Sequence, residues 1–535
     1  MSAIDTAWLR MDRRTNPMVI VSVTVLSEPC TLRDLKRMLQ ARFLRFERFR
    51  CIPATDPVGG TWSPDPQFEL DAHVGEYTLP GTGTQADLEK LVGELAGTPL
   101  DPSRPLWRFE LVRNYRGGSA MIMRIHHCYA DGVALVRLFL GMTSLERDAP
   151  PLEDGFATGD EADARTLVWL RGLPAPAAAL VGELLQGSQA LVESALHRLM
   201  HPLEALDDAQ RTAADVGGIA AELGTLLALP DDPVTPLSGS LGTRRQVAWI
   251  PPLPLVEVRT IGRALGCTIN DVLLSVVAGA LGRYLRSIGT DTTGLTIRAT
   301  VPVNLRPMDE GFALGNRFGL VLLDLPVGLV HPLERLYAVR AGMQRLKGSR
   351  QPVATYAVLN ALGHLPAALE RAAIDTLSHK ASLVISNVPG PRQRLYLCGR
   401  PISEMYFWVP QSGSIGVGIS ILTYTDVVLF GIVADRRLVP DPHAVIDGFA
   451  DEFERLLLLT VYGAAHARGI THAGSAVVPA TAAGSQTRIR TRTGARSGTP
   501  AGAANSNSNA NATRAIARPA ADARPPAKRR RKPAE

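Results

Sequence analysis

His126-His127-Cys128-Tyr129-Ala130-Asp131-Gly132 lies between two apolar runs of different period. Before it, Ala120-Met121-Ile122-Met123-Arg124-Ile125 reads as a strand; after it, Val133, Val136 and Leu140, with Leu135 and Phe139 beside them, recur at helical spacing. A histidine at a strand's carboxyl end, just ahead of a helix, stands where open α/β folds collect their chemistry. The plainer alternative is a pair of satisfied histidines in a turn, with Gly132 supplying an unusual backbone angle.

Working outward, Val19–Leu26 reads as a strand, and Leu32–Phe43 and Ala86–Leu95 read as helices. Leu106–Val112 is a second strand, joined to the run before the motif by the turn Arg116-Gly117-Gly118. Residues 146–245 change character: Pro-rich punctuation leads into Ala/Leu-rich amphipathic helices, with Leu180, Leu184, Leu191, Ala195 and Leu199 on one face. Such helices pack on a core or form a cover that handles an oily substrate or rests on lipid. From 246 the α/β pattern returns, with a long helix at Ile269–Leu285 and strands at Leu295–Val303, Ser382–Ile385 and Val427–Val433. The expected organisation is an N-terminal α/β domain at 1–145, a helical linker at 146–245 and a second α/β domain at 246–470, with the site between the two domains. Residues 471–535 hold almost no large apolar side chains and are expected to be disordered.

The chain has 535 residues, 46% hydrophobic and 20% charged, the balance of a globular protein. Its start has no basic segment leading into an apolar one, so no signal peptide is expected. No uninterrupted apolar run is long enough to span a bilayer, so membrane contact is expected to be peripheral. The five cysteines form no C-x-x-C pair, which argues against a zinc site or a disulfide framework and for a cytoplasmic setting. Cys128 is expected to fill a small buried slot. The net charge of +6 belongs to the tail: Ser475 to Glu535 carry twelve Lys and Arg against Asp522 and Glu535, leaving an acidic body. The terminal run Lys528-Arg529-Arg530-Arg531-Lys532 suits an anionic surface, with no specific nucleic acid expected.

His127 has the chemistry of a general base, since an imidazole takes a proton from a hydroxyl near neutral pH. Asp131 either fixes its tautomer or holds the loop rigid, and Gly132 lets the chain turn tightly into the helix. No G-x-S-x-G elbow and no G-x-x-x-x-G-K-[ST] loop is present, which excludes the usual serine hydrolase and nucleotide-hydrolysing signatures. Thr268-Ile269-Asn270-Asp271 resembles a capping box with Asp in place of Glu, and Asn270 beside it is free to donate toward an oxyanion or an acceptor.

With these blocks in view the chain resembles the bacterial wax ester synthase/diacylglycerol acyltransferase family from Ile4 to about Leu458. The resemblance rests on Ile4-Asp5-Thr6-Ala7-Trp8-Leu9-Arg10, Asn16-Pro17-Met18, Pro105-Leu106-Trp107, the histidine motif and Asn270-Asp271-Val272-Leu273-Leu274. It continues through Val301-Pro302-Val303-Asn304-Leu305-Arg306, Gly315-Asn316-Arg317-Phe318-Gly319 and Ser386-Asn387-Val388-Pro389-Gly390-Pro391. It implies two chloramphenicol acetyltransferase-like domains with mixed sheets and a tunnel between them. The implied activity is transfer of a long-chain acyl group from acyl-CoA, a co-substrate, to diacylglycerol or a fatty alcohol, with no cofactor and no metal. His127 would be the base, with His126, Asp131 and Gly132 supporting it. Asn270 and Asp271 would shape the site or position the acceptor, and Arg306 is the expected ion-pair partner of Asp131. The expected setting is cytoplasmic, at the inner membrane face or a lipid inclusion. The histidine motif alone is shared with peptide-synthetase condensation domains, so a condensation-type enzyme is one rival and a non-catalytic lipid-granule coat protein another.

Overall fold

The computed structural model describes residues 1–56, 59–147, 224–226, 228–306 and 314–473. Most of the helical stretch expected at 146–245, and the tail, lie outside them.

Helix α1 (Ala3–Met11) is capped by Ser2, whose hydroxyl accepts from the Asp5 amide at 3.1 Å. Strand β1 (Val19–Leu26) follows, rich in β-branched residues and buried at all but Ser22. Next come α2 (Leu32–Met38), the hairpin of β2 (Cys51–Thr55) and β3 (Gly60–Pro64), then β4 (Val74–Thr78) and α3 (Gln85–Ala96). Strands β5 (Trp107–Tyr115) and β6 (Gly118–His126) lead into α4 (Gly132–Met142). The later part runs β7 (Arg245–Trp249), β8 (Leu253–Pro254), α5 (Leu255–Leu265), α6 (Ile269–Ser287), β9 (Ile297–Asn304) and β10 (Phe318–Leu325). It continues through α7 (Pro332–Lys347), α8 (Gln351–Leu362), α9 (Ala367–Ser378), β11 (Leu383–Pro389), β12 (Tyr396–Leu397) and β13 (Arg400–Trp408), and closes with β14 (Val417–Tyr424), β15 (Val427–Asp435) and α10 (His443–Ala473).

Two mixed sheets organise these elements. One has the order β12-β13-β1-β6-β5-β4; the other has the order β10-β9-β11-β14-β15-β7, with β8 on β15. The first sheet is not contiguous in sequence. Strand β13 crosses from the second half and pairs antiparallel with β1, Val21 opposite Trp408 and Val23 opposite Tyr406. A boundary near 246 therefore divides the chain but not the sheets. Tyr406 and Trp408 of this strand also pack on Trp249 of β7, in the second sheet, at ring centroid distances of 4.9 and 6.0 Å.

In the second half, α6 is apolar on nearly every face and runs through the core between α7 and α10. Its capping box is formed: the Thr268 hydroxyl accepts from the Asp271 amide at 3.2 Å, and the Asp271 carboxylate accepts from the Thr268 amide at 2.8 Å. No single helix among the described residues is long and apolar enough to cross a membrane.

Candidate active site

The edge where β6 ends is braced from several directions. Pro105-Leu106-Trp107 forms one brace: Trp107 is fully buried and its Nε1 donates to the Phe49 carbonyl at 2.7 Å. The Leu106 carbonyl accepts from the His126 amide at 3.0 Å, and the Leu106 amide donates to the Tyr129 hydroxyl at 3.1 Å. Tyr129 in turn donates to the Cys51 carbonyl at 2.7 Å. The His127 amide donates to the Met18 carbonyl at 2.7 Å, which ties the Asn16-Pro17-Met18 segment to the same turn.

Held by this turn, the His127 ring is stacked on Trp8, with centroids 4.0 Å apart and planes 19° from parallel. Phe318 of β10 lies against it at 5.5 Å, so both halves of the chain enclose the ring. Burial lowers its pKa from 6.5 to about 3, although its own backbone carbonyl, and behind that the Asn316 side chain, favour the charged form. Its Nδ1 is buried without a hydrogen-bond partner among the described residues. The ring is therefore neutral throughout the physiological range, one of its nitrogens carrying a lone pair.

Asp131 does not touch this ring. Its Oδ1 accepts from the Ala134 amide at 2.9 Å, as the N-cap of α4, and from Arg306 Nη1 at 2.7 Å. Its Oδ2 accepts from the Arg317 amide at 2.8 Å. Arg306 Nη2 donates to the Gly315 carbonyl at 2.5 Å, and the Asp131 amide donates to the same carbonyl at 3.2 Å. Of the two parts the sequence left open for Asp131, the hydrogen bonds match the loop-holding one. Both members of the ion pair are buried, so removing either one leaves the other's charge without its partner.

Gly132 corrects an expectation. It opens α4 without a positive φ, and a Cβ there would meet nothing within 4 Å. The turn is made by Asp131, whose φ of −80° and ψ of 174° are extended. The small side of Gly132 instead lines an apolar cavity that follows α4 past Leu135, Val136 and Phe139, with Ile20 of β1 and Phe407 of β13 opposite. It encloses about 700 Å³ of empty space, its open mouth included.

The remaining expected residues sit elsewhere. The His126 Nδ1 accepts from the Cys128 amide at 3.2 Å, and its Nε2 lies 3.6 Å from Asp12. Cys128 is wholly buried and burial pushes its thiol far up, so it fills space, as expected. Asp271 is consumed by its capping box. Asn270 accepts from Asn387 Nδ2 at 2.8 Å, and both line a second cavity of about 890 Å³, mouth included, with Asn304 and Arg259. No hydrogen bond joins Asn270 or Asp271 to His127, Asp131 or Arg306. Val388 and Gly390 line the apolar cavity while Asn387 and Pro389 line the second, so alternation along the end of β11 makes it the wall between them.

Two residues quoted above without a role turn out to belong to the centre. Trp8 covers the His127 ring, and Asn316 Nδ2 donates to the His127 carbonyl at 2.9 Å and to Asp5 Oδ1 at 2.8 Å. The available signal was their occurrence in the blocks Ile4–Arg10 and Gly315–Gly319. Among the described residues no cluster of His, Cys, Asp and Glu is arranged to hold a metal ion.

Comparison with known proteins adds an independent line. Residues 1–273 match the model of the wax ester synthase/diacylglycerol acyltransferase catalytic domain, and residues 314–457 match that of the WS/DGAT C-terminal domain. A Mycobacterium tuberculosis protein bearing the name diacylglycerol O-acyltransferase is 30% identical over 483 residues, covering 85% of this chain and 90% of its own. A second protein of that organism, also so named, is 27% identical over 474 residues, covering 86% and 96%. The solved wax ester synthase/diacylglycerol acyltransferase of Marinobacter aquaeolei superposes with a TM-score of 0.59 at 22% identity, over 85% of this chain and 98% of that one. The starter condensation domain of rhizomide synthetase superposes at 0.51 and 16% identity, over 86% and 94%. These likenesses establish the paired chloramphenicol acetyltransferase-like fold.

Proposed function

Since the chain belongs to the wax ester synthase/diacylglycerol acyltransferase family and is an acyltransferase, we propose that it moves a long-chain acyl group from acyl-CoA to the hydroxyl of diacylglycerol or of a fatty alcohol. The observation that carries this reading is the neutral His127 ring, packed against Trp8 and Phe318, on the turn whose Gly132 lines the apolar cavity. In this reading His127 takes the proton of the acceptor hydroxyl as its oxygen attacks the thioester carbonyl. Coenzyme A leaves as a thiolate and recovers that proton from the imidazolium. No acyl-enzyme forms, because the base activates the acceptor directly and Cys128 is too deeply buried and too weakly acidic to serve as a nucleophile. The Asp131–Arg306 pair holds the turn bearing His127 against Arg306 and the backbone of Gly315 and Arg317. The apolar cavity along α4 receives an acyl or alkyl chain, and the second cavity, with Asn270 and Asn387, suits the more polar part of a substrate. Contact with lipid is peripheral in this account.

The test is an assay of the purified chain with radiolabelled palmitoyl-CoA, offering diacylglycerol and hexadecanol separately. Labelled triacylglycerol or wax ester supports the reading, and the ratio of the two names the acceptor. Folded protein that yields neither would transfer the assignment to amine or carrier-bound acceptors. A chain truncated after residue 474 that keeps turnover in detergent would exclude the coat-protein alternative.

A further inference from the structure

Five cysteines with no pairing pattern in sequence include two that the fold brings face to face. Strand β1 and strand β13 run antiparallel, with Leu26 opposite Ile402. Beyond the ladder the two segments stay together: the Ser27 amide donates to the Pro401 carbonyl at 3.0 Å, and Arg400 Nε donates to the Pro29 carbonyl at 3.1 Å. These contacts bring Cys30, next after Pro29, beside Cys398, two residues before Arg400, with the two side chains within interaction reach of each other. A disulfide needs the two Cβ atoms about 3.5–4.5 Å apart.

The surroundings favour the reaction. The Cys30 amide is pinned by the Ser119 hydroxyl at 2.9 Å. Cys398 sits in the β12–β13 turn with a φ of 51°, followed by Gly399 at 74°, the paired left-handed conformation of a tight hairpin. The Cys398 side holds Cys30 below the usual thiol range by a hydrogen bond between the thiols, with Arg400 adding to the effect, while the same bond raises Cys398. Cys398 also lines a cavity that encloses about 670 Å³ of empty space, its open mouth included, with Asp34, Arg37, Arg42, Arg147 and Arg400 in its wall, so a small oxidant can reach Cys398.

We propose that Cys30 and Cys398 are a redox modification site that closes to a reversible disulfide on exposure to peroxide, stapling the inserted strand β13 to the segment after β1. The thiolate of the pair attacks one oxygen of hydrogen peroxide, giving a sulfenic acid and hydroxide. The neighbouring sulfur then attacks the sulfenic sulfur and water leaves. In sum, two thiols and one peroxide become a disulfide and two waters. The bond would close the long loop from residue 30 to residue 398, and with it the attachment of the strand whose Met405 and Phe407 line the apolar cavity.

The experiment treats the purified full-length protein with stoichiometric hydrogen peroxide, alkylates the remaining thiols and maps peptides by mass spectrometry, with melting followed in parallel. The expected result is a peptide pair linked through Cys30 and Cys398, lost on treatment with dithiothreitol, and a raised melting temperature in the oxidised protein. Cys398→Ala should abolish both the link and the shift, and Cys51→Ala neither. The peptide map of the unmutated protein decides the matter even where a variant folds poorly. Cys30 and Cys398 recovered separately as alkylated thiols or sulfinic acids would overturn the proposal, as would a link that leaves melting unchanged.

Discussion

Trp8 lies flat on the imidazole of His127, 4.0 Å between centroids, although 118 residues of sequence separate them. The stack explains two properties of the site together. It shields the ring from water, and so helps hold the imidazole neutral, and it makes the first helix part of the candidate site. Trp8→Ala is expected to cost about 3–5 kcal/mol of stability, as large aromatic truncations in a core do. Trp8→Phe keeps a ring in place and should fold. Its pH–rate profile should show the His127 value moved upward from about 3 toward 6.5.

The neutral ring sets the pH dependence. Because burial holds His127 at about 3 in the folded state and its ordinary value is 6.5, the unfolded chain binds the extra proton between those two values. Stability contributed by this residue is complete above 6.5 and is lost as pH falls toward 3. The acid limb of kcat/KM should accordingly lie well below pH 6.5, with activity nearly flat from about pH 5.5 to 8 so far as this group decides it. A limb centred at 6.5 would mean that water reaches the ring in the free enzyme.

The Asp131–Arg306 pair should behave as one unit. Both side chains are 3% exposed, so removing either partner leaves a buried charge uncompensated, at a cost of about 3–5 kcal/mol. In a double-mutant cycle, Asp131→Asn with Arg306→Met should lose clearly less than the sum of the two single losses in denaturant unfolding. A charge reversal at both positions is expected to recover little, because an arginine at 131 cannot accept from the amides of Ala134 and Arg317. Additive single losses would show that the pair is not coupled.

These contacts also mark how far the sequence was legible. The change of period on either side of His126-His127 located the strand and the helix that flank the histidines, because local alternation and helical spacing are properties of adjacent residues. Strand β1 and the Thr268–Asp271 capping box were readable for the same reason. The insertion of β13 into the first sheet was not, since nothing in residues 400–408 records which distant edge they pair with. Gly132 was misread because its neighbour, Asp131, makes the turn with an ordinary extended backbone. Trp8 and Asn316 were visible only as members of sequence blocks, as their roles depend on contacts between segments far apart in the chain.

Chain selectivity should follow the cavity along α4. Val136 lines its wall, and Val136→Trp is expected to lower kcat/KM for palmitoyl-CoA by roughly tenfold or more while sparing a short acyl-CoA, since a methylene unit is worth about 0.8 kcal/mol of burial. Equal losses for both chain lengths would place the acyl chain elsewhere.

The absence of a covalent intermediate has its own readout. Radiolabelled acyl-CoA incubated without acceptor should leave no label on the denatured protein, and the rate with acceptor should show no pre-steady-state burst of free coenzyme A. Stable label on a cysteine or serine would require a two-step route.

The central claim, that His127 is the base, is tested most directly by comparing His127→Ala with the unmutated protein, using palmitoyl-CoA and the better acceptor at saturating concentration. The account expects a folded, cooperatively melting variant whose kcat falls by about 10²–10⁴-fold, the usual worth of a positioned general base. A folded variant that keeps more than about a tenth of the activity would contradict it.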